Sequence, residues 1–171
     1  MMNLLISEGI QLQTDKFDKV LERKLKGCSE EQLIRFEQKY DVKLPTSFRY
    51  FLKYSNAGTF RSNNVKLING EEVAACYLYG LERPNDGISE TYDRKRSWRD
   101  IPEFFFPFSS EGGGSEFLIC LKGEHYGGVF FWDRAFYQGD PGDALADFQN
   151  MFKISDNFEG FLDILIESFG D

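Results

Sequence analysis

Residues 29–52 read SEEQLIRFEQKYDVKLPTSFRYFL, and this stretch predicts two helices joined by a sharp corner. Ser29 followed by Gln32 is the capping-box pattern of a helix start, in which each side chain bonds the backbone N–H of the other residue. Pro45 disfavours the helical conformation at Leu44, so the first helix must end there. A second helix is predicted over residues 46–54. The predicted inward-facing residues of the two helices are Leu33, Phe36, Tyr40, Phe48, Phe51 and Leu52.

The segments on either side extend this prediction to an α+β fold. A short first helix is expected from Thr14 to a stop at Gly27, and an amphipathic last helix begins at Phe158. The buried stripe of that last helix is predicted as Phe158, Phe161, Leu162, Leu165, Ile166 and Phe169. Between the helices, short apolar runs separated by Gly, Asn and Pro predict strands at residues 65–68, 73–79, 104–108, 117–121 and 128–132.

The turns between these strands indicate how the strands pair. Asn69-Gly70 is a hairpin signal, and Gly123 to Gly127 offers a longer turn between the last two strands. We therefore expect a mainly antiparallel sheet of about five to six strands packed against helices, forming one domain over residues 1–171. The polar stretch 82–103 is predicted as a surface loop, and its basic cluster, residues 94–96, as a solvated face.

Composition narrows the classes of partner. The 171 residues include 28 acidic and 20 basic side chains, a formal net charge of −8, which repels nucleic acid and favours a basic protein partner. No long uncharged apolar run or basic leader is present, so neither a membrane span nor a signal peptide is predicted. The three cysteines have neither disulfide nor zinc spacing, which favours a reducing, cytoplasmic location, and no cofactor is expected.

Catalytic motifs are weak in this chain. The only histidine, His125, lies in a glycine-bounded turn, and Gly113-Gly114-Ser115 lacks the closing glycine of a nucleophile elbow. The aspartates at 133, 140, 143 and 147 do not have the spacing of an EF-hand loop, so no metal site is predicted. A small hydrolase that uses carboxylates stays open as a weaker alternative, because 28 acids supply many carboxylate pairs.

Two blocks of the sequence resemble the SUKH superfamily, in its branch of Smi/Knr-like domains. The first block is the stretch 29–52 with Asn56-Ala57-Gly58, and the second runs from Ile101-Pro102 through the glycine turn 112–115 to Gly127-Gly128-Val129-Phe130-Phe131-Trp132-Asp133. The final helix is also similar to that of the family. Residues 1–28, treated as an N-terminal extension, and the stretch 82–99 match least. The residues that match the family pattern, and that the resemblance assigns mainly structural roles, are Phe36, Glu37, Leu44, Pro45, Gly113, Gly128 and Trp132.

The resemblance implies an α+β domain without catalysis. Many bacterial members resemble immunity proteins that bind and block polymorphic or contact-dependent toxins, whereas fungal members resemble regulatory scaffolds. We therefore expect an immunity protein, monomeric or weakly dimeric, that binds a basic toxin domain such as a nuclease. A regulatory interaction scaffold is the alternative.

A candidate contact surface follows from the predicted meander. In such a meander the turn before one strand and the end of the next lie at the same edge, which would bring together Glu111, Glu116, Trp132 and Asp133. Glu124 and Tyr126 would lie at the opposite end, and Tyr92 and Trp98 in the 82–103 stretch offer a second surface. The competing interpretation is that Trp132 is buried and the acids only solvate a rim.

Overall fold

The computed structural model describes residues 13–61, 64–84, 86–136 and 140–168. The helices in these ranges are α1 (residues 13–20), α2 (Glu30–Tyr40), α3 (Thr46–Tyr54), α4 (Ile88–Ser97) and α5 (Phe158–Glu167), and a 3₁₀ turn lies at Leu145–Asp147. Its strands are β1 (Leu21–Lys24), β2 (Gly58–Phe60), β3 (Asn64–Lys66), β4 (Glu72–Ala74), β5 (Tyr77–Leu78), β6 (Phe105–Ser110), β7 (Glu116–Cys120), β8 (Val129–Trp132) and β9 (Met151–Ser155). In this part of the chain no helix has the length and apolar character needed to cross a membrane.

The predicted α+β class with an antiparallel sheet is confirmed. Over the described ranges, seven strands pair in the order β1-β2-β5-β6-β7-β8-β9, every pair antiparallel, and β3 and β4 form a separate hairpin. The sheet has more strands than expected because β1 and β2 are short or polar and show no strand pattern of their own, and because β9, in which apolar and polar residues alternate, lies outside the predicted strands. The predicted strand 73–79 is in fact divided between β4 and β5, which belong to different sheets.

The first helix ends earlier than the sequence pattern predicts. Residues 21–24 are strand β1 rather than the last turn of the helix, and they pair with β2 through Leu21 opposite Phe60. The helical spacing of apolar residues continues into this segment. Intrinsic helix propensity is weak, however, and backbone pairing with the neighbouring strand β2 overrides it.

The predicted capping box precedes the corner between α2 and α3, and Glu37 adds contacts that join the two helices. The capping box is present, with Ser29 Oγ accepting from the Gln32 N–H and Gln32 Oε1 accepting from the Ser29 N–H. Glu37, buried in the corner, accepts the Leu44 N–H at 2.9 Å through Oε1, and its Oε2 lies 3.0 Å from Arg49 Nη1. Both carboxylate oxygens therefore have a partner, and Glu37 ties the end of α2 to the start of α3.

The stretch predicted as a surface loop contains helix α4 over Ile88–Ser97. Its buried side chains are Ile88, Ser89, Thr91, Tyr92 and Lys95, so most of its inward face is polar and carries no hydrophobic period. Tyr92, expected to be a recognition residue, is buried, and its ring stacks on Phe106 with centroids 3.8 Å apart. The interpretation of residues 94–96 as a solvated face is wrong for Lys95, which is 8% exposed.

The central strands are covered on both faces. Helices α2, α3 and α5 contact one face of the sheet, where Phe36 meets Phe106, Phe48 meets Phe108 and Phe161 meets Phe117. Every residue of β6, β7 and β8 is buried. Because successive residues of a strand point to opposite faces, Glu116 and Trp132 project away from the face that carries Phe117 and Phe131.

The buried stripe of α5 provides a direct test of the fold. Phe158, Phe161, Leu162 and Leu165 are buried as predicted, and Phe169 lies outside the described residues. Replacing Leu162, which is 1% exposed, with alanine should lower the free energy of unfolding by about 2–5 kcal/mol, through lost burial and the cavity left behind. Urea denaturation measures this. Glu167→Ala, on the exposed side of the same helix, is the matched control, and equal losses at the two positions would contradict the assigned face.

The Glu37 contacts predict a second stability effect. Glu37→Ala removes the acceptor of a buried N–H and one partner of Arg49, so it should cost about 2–4 kcal/mol of unfolding free energy. The control is Glu31→Ala, at an exposed position in the first turn of the same helix, which should cost less than about 1 kcal/mol. Equal, small losses for both variants would show that Glu37 does not hold the corner.

Candidate binding site

Helix α4 and the adjoining ends of β7 and β8 line a half-open pocket of about 420 Å³. The helix contributes Arg94 and Lys95, and the segment after it contributes Trp98, Arg99 and Asp100. Glu116 and Trp132 line the pocket from the two strands, with Gly114 and Arg134 just beyond them. The segment 140–150 completes the wall with Pro141, Phe148 and Asn150.

Strand pairing places the two central side chains side by side. β7 and β8 are antiparallel, and Glu116 lies directly opposite Trp132. The expectation that these two residues meet at one edge of the meander is therefore correct. Both are nevertheless buried, Glu116 at 5% and Trp132 at 6% exposure, because α4 and the 140–150 segment cover this face.

Lys95 connects helix α4 to this pair. Its Nζ lies 3.6 Å from Glu116 Oε1 and 3.7 Å from the centre of the Trp132 ring, within reach of an ion pair and a cation–π contact. The Tyr79 hydroxyl donates to the same Glu116 oxygen at 3.2 Å. Among the described residues, the contacts from Lys95 and from Tyr79 both fall on this one carboxylate oxygen.

Burial disfavours the charged forms of both partners. Desolvation raises the pKa of Glu116 to about 7, against the lowering effects of Lys95, Tyr79 and Arg94. Desolvation also lowers the pKa of Lys95, although Glu116 and Asp100 act to raise it. The loss of hydration therefore outweighs the mutual attraction of the pair, as is common for ion pairs taken out of water.

Three buried polar atoms of the pocket residues have no hydrogen-bond partner in the described part of the chain. They are Glu116 Oε2, Trp132 Nε1 and Asn150 Oδ1. The orientation of Asn150 is set by its Nδ2, which donates to the Asp133 carbonyl at 2.9 Å. Because buried polar groups are rarely left without a partner, three of them around one pocket indicate a place where a ligand can bind.

The rim of the pocket is exposed and basic. Trp98 is 68% exposed, and Arg94 and Arg134 are exposed with no ion pair to any described residue. Arg99 differs, since it pairs with Asp140 and Asp143. The pocket thus has four cationic and two acidic residues in its wall, in a protein whose net charge is −8.

The remaining candidate residues divide between the two ends of the β7–β8 hairpin. Glu111 Oε1 accepts the N–H groups of Gly113 and Ser115, and Asp133 Oδ1 accepts that of Ala135, so both acids cap turns near the pocket. Glu124 and Tyr126 are exposed at the other end of the hairpin, as expected. Whether any of these residues contacts a partner stays a prediction.

The matched glycines act through close contacts rather than through unusual backbone angles. Neither Gly113 nor Gly128 has a positive φ, whereas the flanking Gly112 and Gly114 do, at 95° and 104°. A Cβ at Gly113 would lie 2.5 Å from Glu111 Oε1, and one at Gly128 would lie 3.0 Å from the His125 carbonyl oxygen. The Glu111 carboxylate is the end of a flexible side chain and can move aside, whereas the His125 carbonyl is backbone, so space is tight at Gly128 and less so at Gly113.

The arrangement gives little support to hydrolytic or metal chemistry. The buried acid of the pocket, Glu116, is influenced by Lys95 and Arg94, and among the described residues it is not paired with a second carboxylate. Within the same ranges, no three His, Cys, Asp or Glu side chains are placed to hold a metal ion. Of the aspartates considered for calcium, Asp140 and Asp143 pair with arginines, and Asp133 and Asp147 cap turns.

Several site residues were not found from the sequence. The sequence pattern predicts Arg94 and Lys95 as part of a solvated face, and neither Arg134 nor Asn150 is among the predicted site residues. The one available signal was the run Arg94-Lys95-Arg96, in which residues on different sides of a helix have different environments. That signal becomes usable only when the segment is known to be helical.

Comparison with known proteins agrees with the fold. Residues 27–164 match the model of the SMI1 / KNR4 family (SUKH-1), which covers most of the chain. The match includes the α2–α3 corner, the strands that line the pocket and most of α5. A search of curated proteins found no match.

The raised pKa of Glu116 predicts a pH dependence of stability. An unfolded glutamate titrates near 4.5 and Glu116 in the fold near 7, so the folded state holds an extra proton between these values. The free energy of unfolding of the wild type should therefore fall, relative to Glu116→Gln, as pH rises from 4.5 to 7, by at most about 3 kcal/mol. Urea denaturation of both proteins at pH 5 and pH 8 measures the difference. A rise of that difference with pH would show that the ion pair outweighs desolvation.

Proposed function

This chain belongs to the SMI1 / KNR4 family (SUKH-1), and from that premise we propose that it is a non-enzymatic immunity protein. It binds a cognate polymorphic or contact-dependent toxin and blocks the toxin's activity. Family membership carries the proposal, because the SUKH family is known for immunity proteins and generally lacks enzymatic activity. The pocket is consistent with this, since its buried acid is paired with a lysine.

The surface around the pocket has the composition of a protein contact site. We call it the glycine-turn surface and define it by Tyr77, Arg94, Trp98, Arg134 and the turn 111–115. Tyr77 and Trp98 are exposed, Gly112 lies against the Tyr77 ring, and Gly114 lies against Arg134. Trp, Tyr and Arg are the residue types that most often dominate binding energy at protein interfaces. An exposed tryptophan beside a pocket supports a role in binding.

The charge of the chain supports a basic toxin. An excess of eight negative charges raises the association rate with a basic domain such as a nuclease and disfavours acidic competitors. The glycine-turn surface itself carries cations, so the acid excess acts mainly as a long-range field. The local contacts at the pocket then determine which toxin fits.

Co-expression tests the proposed function. If the reading frame immediately upstream of this chain encodes a large secreted protein with a variable C-terminal domain, that domain is the toxin to express with and without the chain in the same host. We expect the chain to restore growth and to bind the purified toxin domain one to one in solution. Toxicity that persists despite a folded, soluble chain would overturn the immunity proposal. Binding to several endogenous proteins without any effect on the toxin would favour a regulatory scaffold.

A pair of aromatic variants tests the location of the contact. Trp98→Ala should weaken toxin binding by about 30-fold or more, the loss typical of a central interface residue. Tyr126→Ala removes a comparably exposed ring at the other end of the hairpin and should leave the affinity within about threefold of wild type. Isothermal titration calorimetry measures both. The reverse pattern would move the contact to the end of the hairpin that carries Glu124 and Tyr126.

A further inference from the structure

We propose that the pocket between α4 and the ends of β7 and β8 is a carboxylate-binding site that accepts an aspartate or glutamate side chain of the protein partner. The inference rests on the proposed function only for the source of that side chain. The recognition itself is argued from the charges and unpartnered atoms of the pocket.

The charges of the wall favour an anion. Arg94 and Arg134 are exposed at the rim without an ion pair to any described residue, and Lys95 lies deeper, against the Trp132 ring. Glu116 is the only acid within ion-pair distance of Lys95 in the described chain, at 3.6 Å. A second carboxylate that enters the pocket therefore meets more cationic than anionic groups, although the protein as a whole is acidic.

The unpartnered atoms favour a carboxylate carried on a peptide. The Trp132 Nε1–H is a buried donor without an acceptor, and a carboxylate oxygen is a strong acceptor for it. Asn150 Oδ1 and Glu116 Oε2 are buried acceptors without a donor, and the peptide N–H groups that flank an acidic side chain are the donors that such a ligand brings. All three residues are more than nine-tenths buried, so none of these atoms is served by bulk solvent.

Other ligand classes fit the pocket less well. A guanidinium or ammonium group could donate to Asn150 Oδ1 and Glu116 Oε2, but it offers no acceptor to the Trp132 N–H. Such a cation would also be repelled by Arg94, Lys95 and Arg134. A nucleic-acid backbone places phosphates in a row along a surface, and a chain with a charge of −8 repels such a polyanion. The half-open pocket and the excess of cationic residues in its wall are suited to one planar carboxylate.

The two tryptophans of the protein report on this site directly, because Trp98 and Trp132 both line the pocket. The experiment titrates the full chain with N-acetyl-aspartate N-methylamide and follows the indole N–H signals by NMR. The Trp98→Phe variant identifies the Trp132 signal. We expect a saturable shift of the Trp132 N–H with a Kd on the order of millimolar, and a response at least about tenfold weaker to the matching blocked asparagine.

Three variants separate recognition from general charge. Arg134→Gln should weaken aspartate binding by about fivefold or more, whereas Arg23→Gln, at an exposed position of β1, should leave it unchanged. Glu116→Gln removes the carboxylate that competes for Lys95 and should tighten binding severalfold. The NMR spectrum of each variant should be that of a folded protein, with changes only in signals near the substitution. A change in binding can then be assigned to the substituted side chain and not to unfolding.

The outcomes that overturn the inference are distinct from a failure of the toxin experiment. Equal responses to the blocked aspartate and asparagine, or no shift of the Trp132 N–H at about 50 mM ligand, would show that the pocket does not recognise a carboxylate. A shift with inorganic phosphate but none with aspartate would assign the site to phosphate instead. None of these results depends on a toxin, so the immunity proposal can fail while the carboxylate site stands, and the reverse also holds.

Discussion

The contact of Lys95 with Glu116 and Trp132 is the interaction on which the arrangement of this site depends. It connects a helix with a mostly polar inner face to two strands that are buried on both faces. Without a cation from α4, the Glu116 carboxylate at the end of β7 would be buried without a charged partner, at a cost of several kcal/mol. With it, the acid remains in the fold, and the helix is positioned so that Arg94 and Trp98 lie at the rim of the pocket.

Two buried glutamates of this chain show how differently one residue type can be used. Both oxygens of Glu37 have partners in the corner between α2 and α3, and that arrangement stabilises a turn. Only one oxygen of Glu116 has partners, and the other faces no donor among the described residues. A fully satisfied buried carboxylate is typical of a structural role, whereas a partly satisfied one beside a pocket indicates a site for another molecule.

The pocket also shows why net charge and local charge must be treated separately. The acid excess of the chain acts over distances of about a Debye length, roughly 8 Å at physiological salt, and so influences which proteins approach. The groups that a partner side chain meets inside the pocket are Lys95 and the rim arginines. A basic toxin that contributes one acidic side chain at the contact is consistent with both the net charge of the chain and the local charge of the pocket. Such a combination adds specificity, because the net charge disfavours acidic proteins and the pocket disfavours partners without a suitably placed carboxylate.

The sequence alone determined the antiparallel α+β class, the two helices at residues 29–54, the last helix and the proximity of Glu116 to Trp132. Each of these depends on local patterns, namely a capping box, a proline after a helix, helical spacing of apolar residues and the meander of neighbouring strands. Helix α4, strand β1 and the burial of Lys95, Glu116 and Trp132 were decided by the tertiary structure. The inner face of α4 is positioned by an ion pair and a cation–π contact with residues more than 20 positions away, and such contacts leave no periodic trace in the helix itself. Strand β1 likewise exists because β2 supplies its hydrogen bonds, which no local pattern in residues 21–24 could indicate.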